Sequence, residues 1–155
     1  MARRHHIQYD IACDVRAVLD TDVVVAAMRS PTGASAALLR AARGGKLTIL
    51  LSVALALEYE AVCHQPEHQL ASGLSEQEIE AFVTAVIAMA EPVTVHFLWR
   101  PQLRDPGDEM VLETAVNGGA DTLITFNVRD YAEVPSRFGV EVLLPREAIG
   151  RVKSL

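Results

Sequence analysis

The sequence predicts an α/β fold, a doubly wound parallel sheet with helices packed against it. Three observations carry that expectation. Apolar, β-branched segments alternate along the chain with segments of helical period. The strand candidates are continuous apolar runs, as strands buried on both faces are, and do not alternate between apolar and polar. No Asn-Gly or similar turn sits directly between two of those runs, so parallel crossovers and not hairpins must join them.

Taken in order, residues 1–15 are polar and charged without a clear period, and read as a poorly ordered N-terminal extension. Residues 16–155 read as a single domain. "RAVLDTDVVVAAM", through residue 28, is β-branched and reads as a central strand, followed by the turn "SPTG" at residues 30–33. "ASAALLRAAR" has helical composition and stops at Gly44. "KLTILLS" is a second strand, and "VALALEYEAVCH" a helix stopped by Pro66. The segment "SEQEIEAFVTAVIAMA" opens with a capping box, Ser75 to Glu78. It places Ile79, Phe82, Val83, Val86, Ile87 and Ala90 on one helical face. "VTVHF" at 93–97 is a short strand and "RPQLRDPG" a loop. "DEMVLETAVN" is a helix ended by Gly118. "TLITF" is a strand, "NVRDYAEVPSRFG" a loop with one turn, "VEVLL" a last strand, and "PREAIG" a helix with proline at its start.

Composition narrows the functional classes. At 155 residues, half of them hydrophobic, the chain can bury a sizeable core. Its longest apolar run, "LTILLSVALAL" at 47–57, is well short of the ~20 residues of a membrane helix. The opening "MARRHHIQYD" has no apolar stretch behind its charges, so no signal peptide is read. Cys13 and Cys63 make no disulfide framework. A reduced, cytoplasmic setting is the expectation. A net charge of −6 is the reverse of the usual non-specific nucleic-acid binder. It suits a chain whose acids gather where cations compensate them. The basic residues are almost all arginine, Lys46 and Lys153 being the only lysines.

Such a gathering is visible. In an open parallel sheet ligands bind beyond the carboxyl ends of the strands. Asp20 and Asp22 fall in or at the end of the first strand, and Glu58 on the helix after the second. Asp108 opens the helix before "TLITF", and Asn127 and Asp130 follow that strand directly. Each has an ordinary explanation on its own. Asp22 would turn a strand end, Glu58 would sit on a solvated face, and Asp108 would cap a helix. Together they are oxygen donors for a hard divalent cation such as Mg²⁺ or Mn²⁺, and such a site supports in-line attack on a phosphodiester.

The stretches "VLDTDV", "LLSVALALEYEAV" and "RDPGDEMVLETAVNGGADTLITFN" resemble the PIN-domain ribonucleases, most closely the VapC-like toxins of toxin–antitoxin pairs. The likeness covers residues 17 to about 150. It implies a three-layer α/β/α sandwich with a central parallel sheet. Asp20, Glu58 and Asp108 match the family's acids and are expected as metal ligands, with Asp22 beside them. The family's fourth acid falls on Asn127, which brings a carbonyl but no charge, and Asp130 is the alternative carboxylate. The resemblance further implies Mg²⁺- or Mn²⁺-dependent cleavage of RNA by a metal-bound water, a cognate antitoxin protein and a homodimer. Arg29, Arg104 and Arg129 stand on loops near the expected crevice, as holders of flanking phosphates or as ordinary surface arginines.

Two other readings stay open. "DTDVV" after a strand, Ser52 after "KLTILL" and "GDEMVLETA" resemble a haloacid-dehalogenase-like phosphatase with Asp20 as nucleophile. The lack of any lysine between Lys46 and Lys153 counts against it. A non-catalytic PIN-like module that binds RNA or protein is the other, and Asn127 favours it. His64 and His68, four apart beside Cys63, have zinc-like spacing, but Pro66 between them reads as a helix break in a polar loop. His5 and His6 in the extension look like neither ligands nor catalysts.

Overall fold

Five parallel strands form the central sheet of the computed structural model, which describes residues 15–97 and 100–153. They are β1 (Val15–Leu19), β2 (Leu47–Leu51), β3 (Glu91–Pro92), β4 (Thr122–Ile124) and β5 (Glu141–Leu143), in the order β3-β2-β1-β4-β5. Val15 is in register with Leu47 on one side of β1, and Leu19 with Ile124 on the other. The chain therefore leaves β1 in one direction, returns and crosses to the opposite side. That reversal opens a crevice at the carboxyl ends of β1 and β4.

The helices are α1 (Thr21–Arg29), α2 (Ala34–Arg43), α3 (Val53–Cys63), α4 (Pro66–Ser72), α5 (Glu76–Met89), α6 (Pro106–Gly118), α7 (Val128–Tyr131) and α8 (Pro145–Lys153), with a 3-10 turn at Pro135–Phe138. They flank the sheet as the expected α/β/α sandwich. Helix α6 lies along β1, β2 and β4, and α2 packs on β2 and against α8. Ala17, Val18, Leu19, Ile49, Leu50, Leu123 and Ile124 are fully buried. Burying an aliphatic side chain of this size contributes about 1.5–3 kcal/mol, so the sheet's centre is the fold's main source of stability. The capping box of α5 is present, with Ser75 accepting from the Glu78 amide and Glu78 from the Ser75 amide. Ile79, Val83 and Val86 are its buried face, whereas Ile87 is exposed.

Several boundaries differ from the expectation, each for a visible reason. The strand read through residue 28 stops at Leu19. Asp20 turns the chain, its side chain accepting from the Thr21 amide and its carbonyl from the Val23 amide, and α1 begins. Val23 and Val24 are wholly buried, so packing overrides their preference for strands. The strand expected at 93–97 is absent, and the edge strand is the two residues before it, Glu91–Pro92. Past it, the Asn117 side chain takes over what a ladder would have used: its Oδ1 accepts from the His96 and Phe97 amides, and its Nδ2 donates to the Phe97 carbonyl. Pro66 does end α3, but it then serves as the first residue of α4, a position that needs no amide. His64 and His68 are thus not on one polar loop. His64 approaches Glu80 at 3.2 Å and His68 approaches Arg29 at 3.4 Å. The loop after β4 contains α7 and the 3-10 turn. Residues 1–14, with His5, His6 and Cys13, lie outside the described residues.

Helix α6 begins earlier than the sequence suggested. Asp105 is its N-cap and Pro106 follows, which leaves Asp108 within the first turn and free of any capping role. At the other end a Cβ on Gly118 would stand 2.8 Å from Val93 Cγ2 and 3.1 Å from Leu50 Cδ1, so β2 and the β3 exit approach the helix where only glycine leaves room.

Candidate active site

Three elements meet at the head of the sheet. Backbone bonding fixes Asp20 first: its amide donates to the Ile124 carbonyl at 2.9 Å, tying the end of β1 to the end of β4. Its carboxylate is then surrounded. Oδ1 accepts from the Thr21 amide at 2.8 Å, and Oδ2 from the hydroxyls of Thr125 at 2.7 Å and Tyr131 at 3.1 Å. Tyr59, fully buried on α3, donates to the Leu19 carbonyl and holds the strand from the other side.

Asp22, in the first turn of α1, points back over β4. Its Oδ2 accepts from the Asn127 side-chain amide at 2.9 Å and the Phe126 backbone amide at 3.3 Å. Its Oδ1 is buried without a hydrogen-bond partner. Asp108 reaches the same place from α6, where its Oδ1 lies 3.3 Å from the Tyr131 hydroxyl. Tyr131 has one proton and stands between two carboxylates, so it satisfies only one of them at a time.

The electrostatics follow from this crowding. Burial first, and then the charge of Asp20, push the Asp22 carboxyl up to about 7. Burial, Asp20 and Asp105 push Asp108 up to about 6. Asp20 is raised as well, mainly by burial, against the opposing bonds from Thr125 and Tyr131. The phenol of Tyr131, buried beside both acids, is raised strongly. Burial is the larger cause for all three acids and their mutual repulsion adds to it, so a counter-charge placed here would relieve both.

The remaining candidates lie on either side of this trio. Glu58 lines a depression of about 530 Å³ together with Asp22 and Arg29. Asp130, exposed on α7, lines a larger one of about 930 Å³ with Asp108, Arg104 and Arg129. Asn127 acts as a donor to Asp22. In these side-chain positions no three Asp, Glu, His or Cys among the described residues enclose a metal-sized space. The donor set nevertheless suits a hard cation: its charged groups are carboxylates, Asp20 and Asp108 act on Asp22 as like charges, and Asp22 Oδ1 is buried without a hydrogen-bond partner. Asp20, Asp22 and Asp108 would form the inner set, and Glu58 and Asp130 line the depressions on either side of it.

Sequence reasoning overlooked Thr125 and Tyr131. Thr125 and Tyr131 orient Asp20, yet neither belongs to a periodic pattern, and Tyr131 lay in what reads as loop. Ser52 is the N-cap of α3 and shares a 2.7 Å hydrogen bond with Thr114, so its hydroxyl is engaged in structure at the place where the phosphatase reading needed it.

The described helices include none long and apolar enough to cross a membrane. No curated protein matches the chain. The profile of the PIN domain, a fold of nucleases, matches residues 16–129, which takes in Asp20, Asp22, Glu58, Asp108 and Asn127. With the all-parallel sheet, the acids at its switch point and that match over most of its length, the chain belongs to the PIN domain family.

Proposed function

We propose that the protein is a metal-dependent endoribonuclease, and that it acts as the toxin of a toxin–antitoxin pair in the cytoplasm. The observation that carries the nuclease reading is the convergence of Asp20, Asp22 and Asp108 at the β1–β4 crevice with a buried, unpartnered carboxylate oxygen among them. A bound Mg²⁺ or Mn²⁺ supplies charge neutralisation and an acidified water for hydrolysis of a phosphodiester. The protein's own groups do the rest. Thr21, Thr125 and Tyr131 lock the Asp20 carboxylate in one orientation. Asp108 is presented by the first turn of a helix whose cap is made by another residue. Glu58 and Asp130 offer further oxygens from the two depressions, and Arg104 and Arg129, beside Asp108, supply positive charge for flanking phosphates.

The antitoxin belongs to the same proposal: a partner that covers the acidic crevice would silence the enzyme. So does a homodimer. Val53 and Leu57, four apart on helix α3, are 77% and 60% exposed. The test is cleavage of a mixed structured and single-stranded RNA pool with Mg²⁺, Mn²⁺ or EDTA, with Asp108→Asn run beside the wild type. Cleavage that needs metal and is lost in Asp108→Asn supports the proposal, while equal cutting by both proteins refutes it. Metal binding without turnover would favour a non-catalytic binding module. The Asn127–Asp22 hydrogen bond is the observation on its side, since it spends the fourth position on a neutral donor.

A further inference from the structure

Helix α6 carries a second row of polar groups that the acidic centre does not use. Glu109, Glu113 and Asn117 follow one another at intervals of four and share one face of the helix. Each holds the chain that leads from β3 to α6. Asn117 binds the backbone of His96 and Phe97. Glu113 accepts two hydrogen bonds from the Arg100 guanidinium, at 2.6 and 2.9 Å. Both carboxylate oxygens of Glu109 accept from the Gln102 amide, at 3.1 and 3.2 Å. The row thus runs down the helix as the chain runs up it, and ends where Asp105 caps α6.

Glu109 and Glu113 are 3% and 7% exposed. Two carboxylates taken out of water are a costly way to attach a loop, and apolar side chains of similar volume would attach it at least as firmly. What directional contacts add is register: a guanidinium fork meets a carboxylate in one way, whereas apolar side chains can slide past one another. Residues 100–105 have no helix or strand of their own, yet Gln102, Leu103, Arg104 and Asp105 form one wall of the 930 Å³ depression that Asp108 and Arg129 also line. Arg104 lies two residues past the amide that Glu109 holds and one before the helix cap, so its backbone is pinned on both sides.

We infer that Glu109 and Glu113 are positioning residues. Through Gln102 and Arg100 they hold residues 100–105 in one register, and so set Arg104 in the wall beside Asp108, where its guanidinium meets a phosphate of the bound RNA. The inference rests on the nuclease reading and adds to it the groups that fix the binding wall. Neither glutamate touches substrate. Arg100, engaged by Glu113, is a brace and not a phosphate ligand.

The test removes the register and keeps the attachment. In the full chain, Arg100→Met combined with Glu113→Leu replaces the ion pair by apolar contact. KM and kcat are read with Mn²⁺ on a fluorescein-labelled RNA that the wild type cuts, at several salt concentrations, with urea melts for stability. The double variant should unfold at or above the urea midpoint of the wild type, while KM rises about fivefold, kcat is unchanged, and the salt dependence of KM falls by about one phosphate contact. Arg104→Ala should do the same to KM in the wild type and add nothing in the double variant. Independently, Glu109→Ala should raise KM and Glu109→Gln restore it, because the glutamine carbonyl still accepts from the Gln102 amide. A stable double variant with the KM of the wild type would overturn the inference, leaving the glutamates as attachment alone. A fall in kcat at constant KM would overturn it by locating the effect at the acids. Full additivity with Arg104→Ala would overturn it by showing that the glutamates do not act through that arginine. A wild type that cuts no RNA would overturn the nuclease reading as well, whereas the other failures leave that reading standing.

Discussion

Asp22 offers the sharpest test of the idea that the head of the sheet is built for a cation. In EDTA its charge has no counter-ion, and the folded state must bear it. The carboxyl ionises near 7 when folded and near its ordinary 3.8 when unfolded. Below the lower value both states are neutral and no penalty exists. As pH rises from there through about 7, the unfolded chain releases its proton first and stability is lost. Each unit of separation corresponds to 1.36 kcal/mol, which sets a ceiling of about 4 kcal/mol by pH 8. Water still reaches part of this carboxylate, so about 2 kcal/mol is the expected loss. Asp22→Asn removes that penalty while keeping an acceptor for the Asn127 and Phe126 amides. Its new amide nitrogen takes the place of the orphaned Oδ1, at a cost of about 1 kcal/mol. Asp22→Asn should therefore be more stable than wild type by about 1 kcal/mol at pH 8 in EDTA, and no more stable at pH 5. For a chain of this size that is a rise of about 2–4 °C in Tm. Urea melts at the two pH values measure it. Saturating Mn²⁺ should close the gap at pH 8 by stabilising the wild type alone. A variant less stable than wild type at pH 8 in EDTA would refute the reasoning, because Asp22 would then be contributing to the apo fold.

Two further outcomes follow from neighbouring contacts. Tyr131→Phe removes the hydroxyl shared by Asp20 and Asp108, and should cost about 1 kcal/mol in a urea melt and weaken Mn²⁺ binding measured by electron paramagnetic resonance; unchanged Mn²⁺ affinity would show that the tyrosine does not position the acids. Gly118→Ala places a methyl 2.8 Å from Val93 Cγ2 and should lower stability by about 1–3 kcal/mol with little effect on RNA cleavage, since the contact lies away from the acids.

The architecture was legible because its signals are local and repeated. The apolar strands at 47–51 and 122–124, the helix 76–89 with its capping box, and Pro145 at the start of α8 all follow from sequence-local preferences. The failures arose where a distant side chain decides. Valines at 23–25 look like a strand until the core they fill is known, and only Asn117, about 20 residues away in the chain, explains why the ladder stops after Pro92. The site divides in the same way. Asp20, Asp22 and Asp108 were recognisable as acids at element ends and act on one another as neighbouring charges, whereas Glu58, expected beside Asp20 and Asp108, lines the adjoining depression. Thr125 and Tyr131 were not, because a hydroxyl that orients a carboxylate has no pattern in sequence; its partner is 105 residues away for Thr125 and 111 for Tyr131.

The net charge of −6 looks incompatible with an RNA substrate only while charge is treated as a single sum. Part of the basic surface is already neutralised: Arg16 pairs with Glu91, Arg100 with Glu113, Arg151 with Glu141. Of the arginines without carboxylate partners among the described residues, Arg29, Arg104, Arg129 and Arg146 line the depressions around the acidic centre, and Arg40 and Arg43 do not. A phosphate chain approaching that region meets guanidinium groups at its edges, where charge steers and positions. It meets carboxylates only at the centre, where a cation would reverse their sign. On this distribution, replacing Arg29 or Arg146 should weaken RNA binding and flatten its salt dependence, whereas breaking the Arg151–Glu141 pair should do neither. A long-range charge effect would respond alike to all three changes, and that result would count against an arginine-rimmed crevice.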